Sequence, residues 1–320
     1  MNLDPSHAET VPSTSGLSNE PSTLRKIFFG PNGLRAGWRL LIFVPMLFSL
    51  QYLILQKALP RIPVVANFLA EVRTDGVLTP QFQLVIELAA FAIIFLATAI
   101  MGWIEKRPFG VYGIPRKGAF GKFFWQGVLF GFAYETFEMV AIWACGGYSF
   151  GSLALSGMAL VKYAVLWAMV FLLVGFVEEF TFRGYAQYTL GNGIGFWPAA
   201  IVLSAAFGAV HLGNKGEGWL GAVSIAIYAL IACVTIRRTG NLWFTIGFHA
   251  AGDYFETFLY STPISGLQAR GHLLNASFHG PLWLTGGAIG PEASVFAFIL
   301  FAIAFLVFNH MYPAKRAVVS

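Results

Sequence analysis

The sequence predicts an all-α, polytopic membrane protein with about eight transmembrane helices. Hydrophobic residues make up 57% of the 320 residues and charged residues only 11%, against about 45–50% and about 25% in soluble globular domains. A chain with so little charge cannot cover a water-facing surface, which excludes an ordinary cytoplasmic enzyme and a disordered protein. The two cysteines lie inside apolar runs, which does not fit a disulfide-stapled secreted domain.

Apolar segments that approach the length needed to cross a bilayer, about 20 residues, recur along most of the chain. We predict spans at residues 38–56, 84–104, 121–144, 164–190, 196–212, 219–236, 241–260 and 292–311. Residues 1–24 are rich in Ser, Thr and Pro and carry no apolar run, so we predict a disordered cytoplasmic tail and no signal peptide. Three further regions follow: 25–150 with the first three spans, 151–260 with the next four, and 261–320 with an extracytoplasmic loop, the eighth span and a short cytoplasmic tail.

The basic residues indicate the orientation of these spans. Most of the 20 lysines and arginines fall at span ends on the side that holds both termini, which predicts cytoplasmic termini by the positive-inside rule. This placement also explains the sequence pI of about 9.2, so we predict a lipid bilayer and no nucleic acid among the partners. Two long connections rich in Pro and Gly, 57–83 and 261–291, are either caps over a cavity or inert connectors.

Ionisable side chains inside the predicted spans are the candidate functional residues, because charge in a bilayer is costly and usually faces a cavity or a partner. Glu87, at the start of the second span, is interpreted as an interfacial residue. Two glutamates of the third span, three residues apart, either line a cavity or accept hydrogen bonds from neighbouring helices. The candidates deep in spans are Glu135, Glu138, Glu178, Glu179, Arg183, His211, His249 and Asp253.

Helix geometry divides the cluster of the fourth span into two roles. Glu179 and Arg183 are i and i+4, within ion-pairing reach, whereas Glu178 is turned about 100° away. The spacing predicts one acid neutralised by the arginine and a second acid that faces something else. The alternative is that both glutamates share the arginine as a structural ion pair.

Two histidines on other spans have similar helical neighbours. Asp253 is four residues after His249 and can orient its imidazole, and Phe207 is four residues before His211, which places the phenyl ring beneath the imidazole. A buried carboxylate near two histidines could act as a general base for water and stabilise an oxyanion. Alternatively, Glu178, His211 and His249 could hold Zn²⁺ with an open fourth position, although no HExxH or CxxC motif supports a metal.

Three short motifs, in order on three spans, resemble those of the CPBP family of intramembrane proteases, which includes type II CaaX prenyl proteases and Abi-like bacteriocin-processing proteins. Residues 178–183 (EEFTFR) resemble its EExxxR motif, 207–211 (FGAVH) its FxxxH motif, and 249–253 (HAAGD) its HxxxN/D motif. A YGI element at 112–114 resembles a further one. The resemblance covers about residues 164–260 and implies a four-helix catalytic core.

The resemblance implies an intramembrane endopeptidase that acts on a membrane-associated peptide or protein, either of the prenylated CaaX type or bacteriocin-like. Glu178 would activate water, with His211 and His249 placing the water or the tetrahedral intermediate. Asp253 would assist the histidines, and Arg183 would hold the site together through Glu179. Members are called metalloproteases, so zinc is a possible cofactor. The implied location is the bacterial inner or plasma membrane.

Two other functions are compatible with the residues themselves. A non-catalytic scaffold or immunity protein could bind a peptide in the same cavity. A proton-coupled transporter could use the acids and histidines as a relay, but it would be expected to show inverted repeats, and the two halves of the sequence show no such symmetry.

Overall fold

The computed structural model describes residues 23–30, 33–67, 77–214, 216–266 and 269–314. Each of the eight predicted spans corresponds to a helix, and we number these helices α1 to α8. Their bounds are Ala36–Arg61 (α1), Pro80–Glu105 (α2), Lys122–Ala144 (α3), Gly157–Ile194 (α4), Phe196–His211 (α5), Trp219–Thr239 (α6), Trp243–Tyr254 continued by a π-helix at Phe255–Leu259 (α7), and Val295–Met311 (α8).

The helices confirm an all-α membrane protein with several spans. In the described part of the chain, α1, α2, α3, α4 and α6 are long and apolar enough to cross a bilayer, while α5 and α8 are shorter apolar helices of 16 and 17 residues. Almost all of the predicted disordered tail, 1–24, lies outside the described residues; its last two residues begin a short helix, Thr23–Phe28.

The outer surface of the helices is apolar in the way that lipid contact requires. Large side chains project outward from different helices, with exposed fractions of 82% for Trp103, 63% for Trp125, 63% for Phe137 and 80% for Met158. In water such a continuous apolar surface would be an aggregation liability. In a bilayer it is the surface expected of spanning helices.

In the described residues, the paired β-strands are short and lie outside the helices. β1 (Phe29–Gly30) pairs antiparallel with β2 (Gly33–Leu34) just before α1. β3 (Tyr148–Ser149), after α3, pairs antiparallel with β4 (Ser277–Phe278), which lies in the long connection between α7 and α8. The second pair ties that connection to the end of the bundle where the loop after α3 lies.

Glycines allow the helices that carry the two histidines to pack closely against their neighbours. A Cβ on Gly247 of α7 would lie 2.2 Å from the carbonyl oxygen of Phe124 on α3, and a Cβ on Gly208 of α5 would lie 2.2 Å from that of Ala222 on α6. Small residues at such contacts are how membrane helices approach each other. Because Gly247 precedes His249 and Gly208 precedes His211, this packing sets the position of both imidazoles.

Helix α4 changes its winding immediately after the paired glutamates. It is α-helical over Gly157–Glu179, π-helical over Phe180–Ala186 and α-helical again over Gln187–Ile194. Gly184 departs from helical geometry, with φ −81° and ψ −114°. Wide turns of this kind are often found at functional sites, and here the wide turn contains Arg183.

Candidate active site

Glu178 faces both histidines, as the separation of the adjacent acids predicts. Its Oε2 lies 3.6 Å from Nε2 of His249 and 3.7 Å from Nε2 of His211. The three side chains come from α4, α7 and α5, so no local segment could assemble them alone. Glu178 keeps 30% of its side chain exposed, which leaves room for water or a substrate beside it.

Glu179, its neighbour, is fully buried and surrounded by donors. Its Oε1 lies 2.9 Å from Nδ1 of His249 and 3.5 Å from Nη1 of Arg183, and it accepts a hydrogen bond from the Tyr228 hydroxyl at 3.1 Å. Oε2 accepts a hydrogen bond from the Thr245 hydroxyl at 3.0 Å. Four partners compensate the cost of burying this carboxylate, so Glu179 organises the site and is not available to attack or to bind a ligand.

Arg183 is committed to Glu179 and to the aromatic ring beneath it. Its guanidinium carbon lies 4.1 Å from the ring centroid of Phe207, within cation–π range, and 1% of its side chain is exposed. Within the described part of the chain, its ion pair is with Glu179, while Glu178 faces the imidazoles. The alternative in which both glutamates share the arginine therefore does not describe this arrangement.

His249 is in contact with two acids besides Glu178. Asp253 is within reach of the ring, as the helical spacing predicts, with its Oδ2 3.5 Å from Nε2. The shorter contact, which the spacing did not predict, is between Nδ1 and Glu179 on α4. The physical reason is tertiary: the close packing of α7 brings a fully buried carboxylate to the nitrogen that Asp253 does not reach. Nε2 consequently faces both Glu178 and Asp253.

His211 is held by its own helix. Nδ1 lies 2.8 Å from the carbonyl oxygen of Phe207, and the two rings meet edge to face with centroids 4.7 Å apart and planes at 71°. The predicted contact of the Phe207 ring with His211 is present, but the rings meet edge to face and are not stacked. With Nδ1 engaged as a donor to the carbonyl, Nε2 is the nitrogen that is directed at Glu178.

A cavity of about 190 Å³ joins these groups. Glu178, His211, His249 and Asp253 line it, whereas Glu179 and Arg183 lie behind the wall. Its apolar lining includes Trp167, Phe171 and Val174 of α4. Leu78, Ile264, Ser265 and Ala269 line it from the connections before α2 and after α7, so the described parts of the two long connections do contribute to a cavity.

The two glutamates of the third span have different surroundings, and Glu87 lines the same cavity as the candidate active site. Glu135 lines the cavity, whereas Glu138 accepts a hydrogen bond from the Ser294 hydroxyl at 2.7 Å. Each of the two predicted roles therefore applies to one residue. Glu87 also lines the cavity, with a hydrogen bond from Gln83 at 2.8 Å, a placement that its interpretation as an interfacial residue did not predict.

Several groups of the site were not identified from the sequence. Tyr228 and Thr245 both donate to Glu179, and Glu256 and Glu292 line the cavity. Each is a polar residue within or next to an apolar segment. The two acids carried a detectable signal, since Glu256 lies three residues after Asp253 and Glu292 begins the last predicted span.

The proposed zinc ligands lie together, but they do not form a coordination set. Among the described residues, no group of three or more His, Cys, Asp and Glu side chains is arranged to hold a metal ion. Zinc binding by these side chains stays a prediction, and we assign the metal no step.

Comparison with known proteins identifies the same region that the motifs define. Residues 160–255 match the family model described as Type II CAAX prenyl endopeptidase Rce1-like. No curated protein and no solved structure gives a match. The matched region contains all six predicted site residues, from Glu178 in α4 to Asp253 in α7. The resemblance predicted from the three motifs is thereby confirmed for this region, and the chain is a polytopic membrane protein whose residues 160–255 match the Rce1-like model of the type II CAAX prenyl endopeptidases.

Proposed function

We propose that this protein is an intramembrane endopeptidase that uses Glu178 to activate water for attack on a peptide bond. The observation that carries the proposal is that one oxygen of Glu178 lies within 3.7 Å of both Nε2 atoms, inside a cavity between helices. A carboxylate beside two imidazoles can hold a water molecule and accept its proton as the water attacks a carbonyl carbon.

The two histidines provide fixed groups around the reacting atoms. Each has Nδ1 occupied, His249 by Glu179 and His211 by the Phe207 carbonyl, so each directs Nε2 into the cavity. From there they can place the water and, when protonated, donate a hydrogen bond to the oxyanion of the tetrahedral intermediate. Glu178 then passes its proton to the leaving amine. Asp253, 3.5 Å from Nε2 of His249, assists that ring.

The substrate we propose is a membrane-associated polypeptide, of the prenylated CaaX type or bacteriocin-like. Support comes from the match to a CAAX endopeptidase family and from the apolar part of the cavity, which Trp167, Phe171 and Val174 supply. A peptide segment next to a lipid anchor would contact this apolar side while its scissile carbonyl reaches Glu178. We also propose cytoplasmic termini, because most lysines and arginines lie on that side of the spans.

The test is a comparison of membrane proteomes from cells that carry the wild type or Glu178→Gln. We expect new protein termini that appear in the wild type and are absent in the mutant at equal expression. A cellular phenotype that Glu178→Gln rescues as well as the wild type, with no difference in termini, would instead support a non-catalytic scaffold that binds a peptide in the cavity.

A further inference from the structure

One side of the cavity is lined by three glutamates that the proposed chemistry does not use. Glu135 comes from α3, Glu256 from the π-helical end of α7, and Glu292 from the segment just before α8. We call these three residues the acidic wall. Glu135 and Glu256 are each only 5% exposed, and Asp253 lies one helical turn before Glu256, so the wall begins beside the candidate active site.

Each carboxyl group of the acidic wall has one buried oxygen without a hydrogen-bond partner. These atoms are Oε2 of Glu135, Oε1 of Glu256 and Oε2 of Glu292, while Oε1 of Glu292 accepts from the backbone N–H of Ser265. Burying a polar group without a partner is costly, so three such oxygens around one cavity indicate a missing partner.

A second polar group, independent of the acids, also points into this space. Thr257 is fully buried and lines the same cavity, and its hydroxyl oxygen has no partner. Among the described residues that line the cavity there is no lysine or arginine, and the basic side chains there are the two histidines beside Glu178. The partner of the wall is therefore not among the described lining residues.

Elsewhere in the fold, buried acids do receive donors from the chain itself. Glu179 has four donors, including Arg183. Glu138, one turn from Glu135 on the same helix, is 1% exposed and accepts from Ser294 through Oε1, while its Oε2 has no partner. What distinguishes the acidic wall from Glu138 is that its three residues line the cavity, where a ligand can supply a donor.

We propose that the acidic wall is a subsite for a basic side chain of the substrate, a lysine ammonium or an arginine guanidinium close to the scissile bond. This inference rests on the proposed endopeptidase function and deepens it. Both cations carry several N–H donors, which match the free carboxylate oxygens and the Thr257 hydroxyl. The same wall disfavours a free C-terminal carboxylate at this position, because like charges in a cavity repel. The space of about 190 Å³ is sufficient for a side chain.

The experiment measures binding, so that it does not depend on cleavage. Purified full-length protein is titrated with n-butylammonium and n-butylguanidinium, which resemble the lysine and arginine side chains, and with n-butanol as the neutral control, at constant ionic strength. Thermal unfolding reports binding, because a ligand of the folded state raises the Tm. We expect the two cations to act at concentrations at least about tenfold lower than butanol, as charge-assisted hydrogen bonds imply.

Variants of the acidic wall test whether the cations bind at these residues. In Glu135→Gln/Glu256→Gln we expect the preference for cations to disappear. Glu135→Gln alone serves if the double variant does not fold, and there we expect the preference to fall about threefold. The matched control Glu138→Gln should keep the full preference. The proposal would be overturned if butanol raised the Tm at the same concentrations as the cations. It would also be overturned if the preference for cations persisted in both wall variants. So would stabilisation by Ca²⁺, Mg²⁺ or Zn²⁺ with no effect of the organic cations.

Cleavage gives a second and separable measurement. Of two membrane peptides that differ only by lysine or methionine near the scissile bond, we expect the lysine peptide to show a kcat/KM at least about tenfold higher. Equal cleavage of both peptides would overturn the subsite. If the cations bind but neither peptide is cleaved, the result would contradict the proposed endopeptidase function. The same result would still support the cation-binding site.

Discussion

The carboxylate of Glu179 holds the imidazole of His249 through Nδ1 at a distance of 2.9 Å. Its neighbour in sequence, Glu178, faces the other nitrogen of the same ring at 3.6 Å. Two adjacent acids therefore meet one histidine from opposite sides: one is buried and orients the ring, and the other is exposed to the cavity. This division of roles leads to predictions that separate stability from activity.

Replacing the two adjacent glutamates should affect stability to very different extents. Glu179→Ala leaves the buried guanidinium of Arg183 without its ion-pair partner, which we expect to destabilise the protein by about 3–5 kcal/mol. Glu178→Gln keeps the shape of a partly exposed side chain and should change stability by less than about 1 kcal/mol. Thermal unfolding of the purified variants measures both. Equal losses of stability would contradict the structural role of Glu179.

Tyr228 is expected to act as a positioning residue through Glu179. Tyr228→Phe removes the hydroxyl that donates to Glu179 at 3.1 Å and frees the carboxylate that orients His249. We expect kcat for peptide cleavage to fall roughly tenfold with little change in KM, since the lost hydrogen bond to a charged group is worth about 1.5–3 kcal/mol.

The control for this change is Tyr148→Phe. The Tyr148 hydroxyl donates to the carbonyl oxygen of Tyr260, outside the site, so its loss should affect stability and not kcat. If Tyr228→Phe raised KM and left kcat unchanged, the residue would be a substrate contact and not a positioning residue.

Chelation of divalent metals should leave cleavage unchanged, because the described side chains provide no set of three ligands arranged for a metal ion. We expect the purified protein to contain much less than one equivalent of zinc, and His249→Ala to leave that content as it is. Elemental analysis of both proteins measures this. Loss of activity on chelation that zinc restores would show that His211, His249 and Glu178 rearrange around a metal.

Close helix packing should be as important to the site as its polar residues. In Gly208→Ala the new Cβ would lie 2.2 Å from the Ala222 carbonyl oxygen, which forces α5 away from α6 and displaces His211. We expect cleavage to fall at least about tenfold, because displacements of about 1 Å are costly for catalysis.

The matched control is Gly37→Ala in α1, where a Cβ meets nothing within 4 Å. Alanine is the better helix former there, by about 1 kcal/mol, so activity should be retained and stability should not fall. Activity assays at equal folded concentration compare the two variants. Full activity of Gly208→Ala would show that the position of α5 does not determine that of His211.

The sequence predicted those features of the site that depend on one helix. The ion pair of Glu179 with Arg183 and the ring contact of Phe207 with His211 follow from i, i+4 spacing, and the structure has both. The contact of Glu179 with His249 joins α4 to α7 and could not be derived, because no sequence pattern reports which faces of two helices meet.

The same limit explains the residues whose place in the site the sequence did not predict. Glu87 stands near the start of an apolar segment, where an interfacial position is the ordinary reading, yet the rotation of α2 directs it into the cavity. Tyr228 and Thr245 are single polar residues in apolar helices, and only the fold shows that both donate to Glu179. Composition and segment length, in contrast, were sufficient to predict each of the main helices.

Cleavage of a membrane peptide by purified wild type and Glu178→Gln, reconstituted in lipid, tests the central claim most directly. Mass spectrometry of the products should show a new terminus with the wild type, and its rate of formation should fall at least about a hundredfold with Glu178→Gln, as expected for loss of a general base. Glu138→Gln, whose carboxyl group is buried away from the cavity, should cleave as the wild type does. Undiminished cleavage by folded Glu178→Gln would contradict the account.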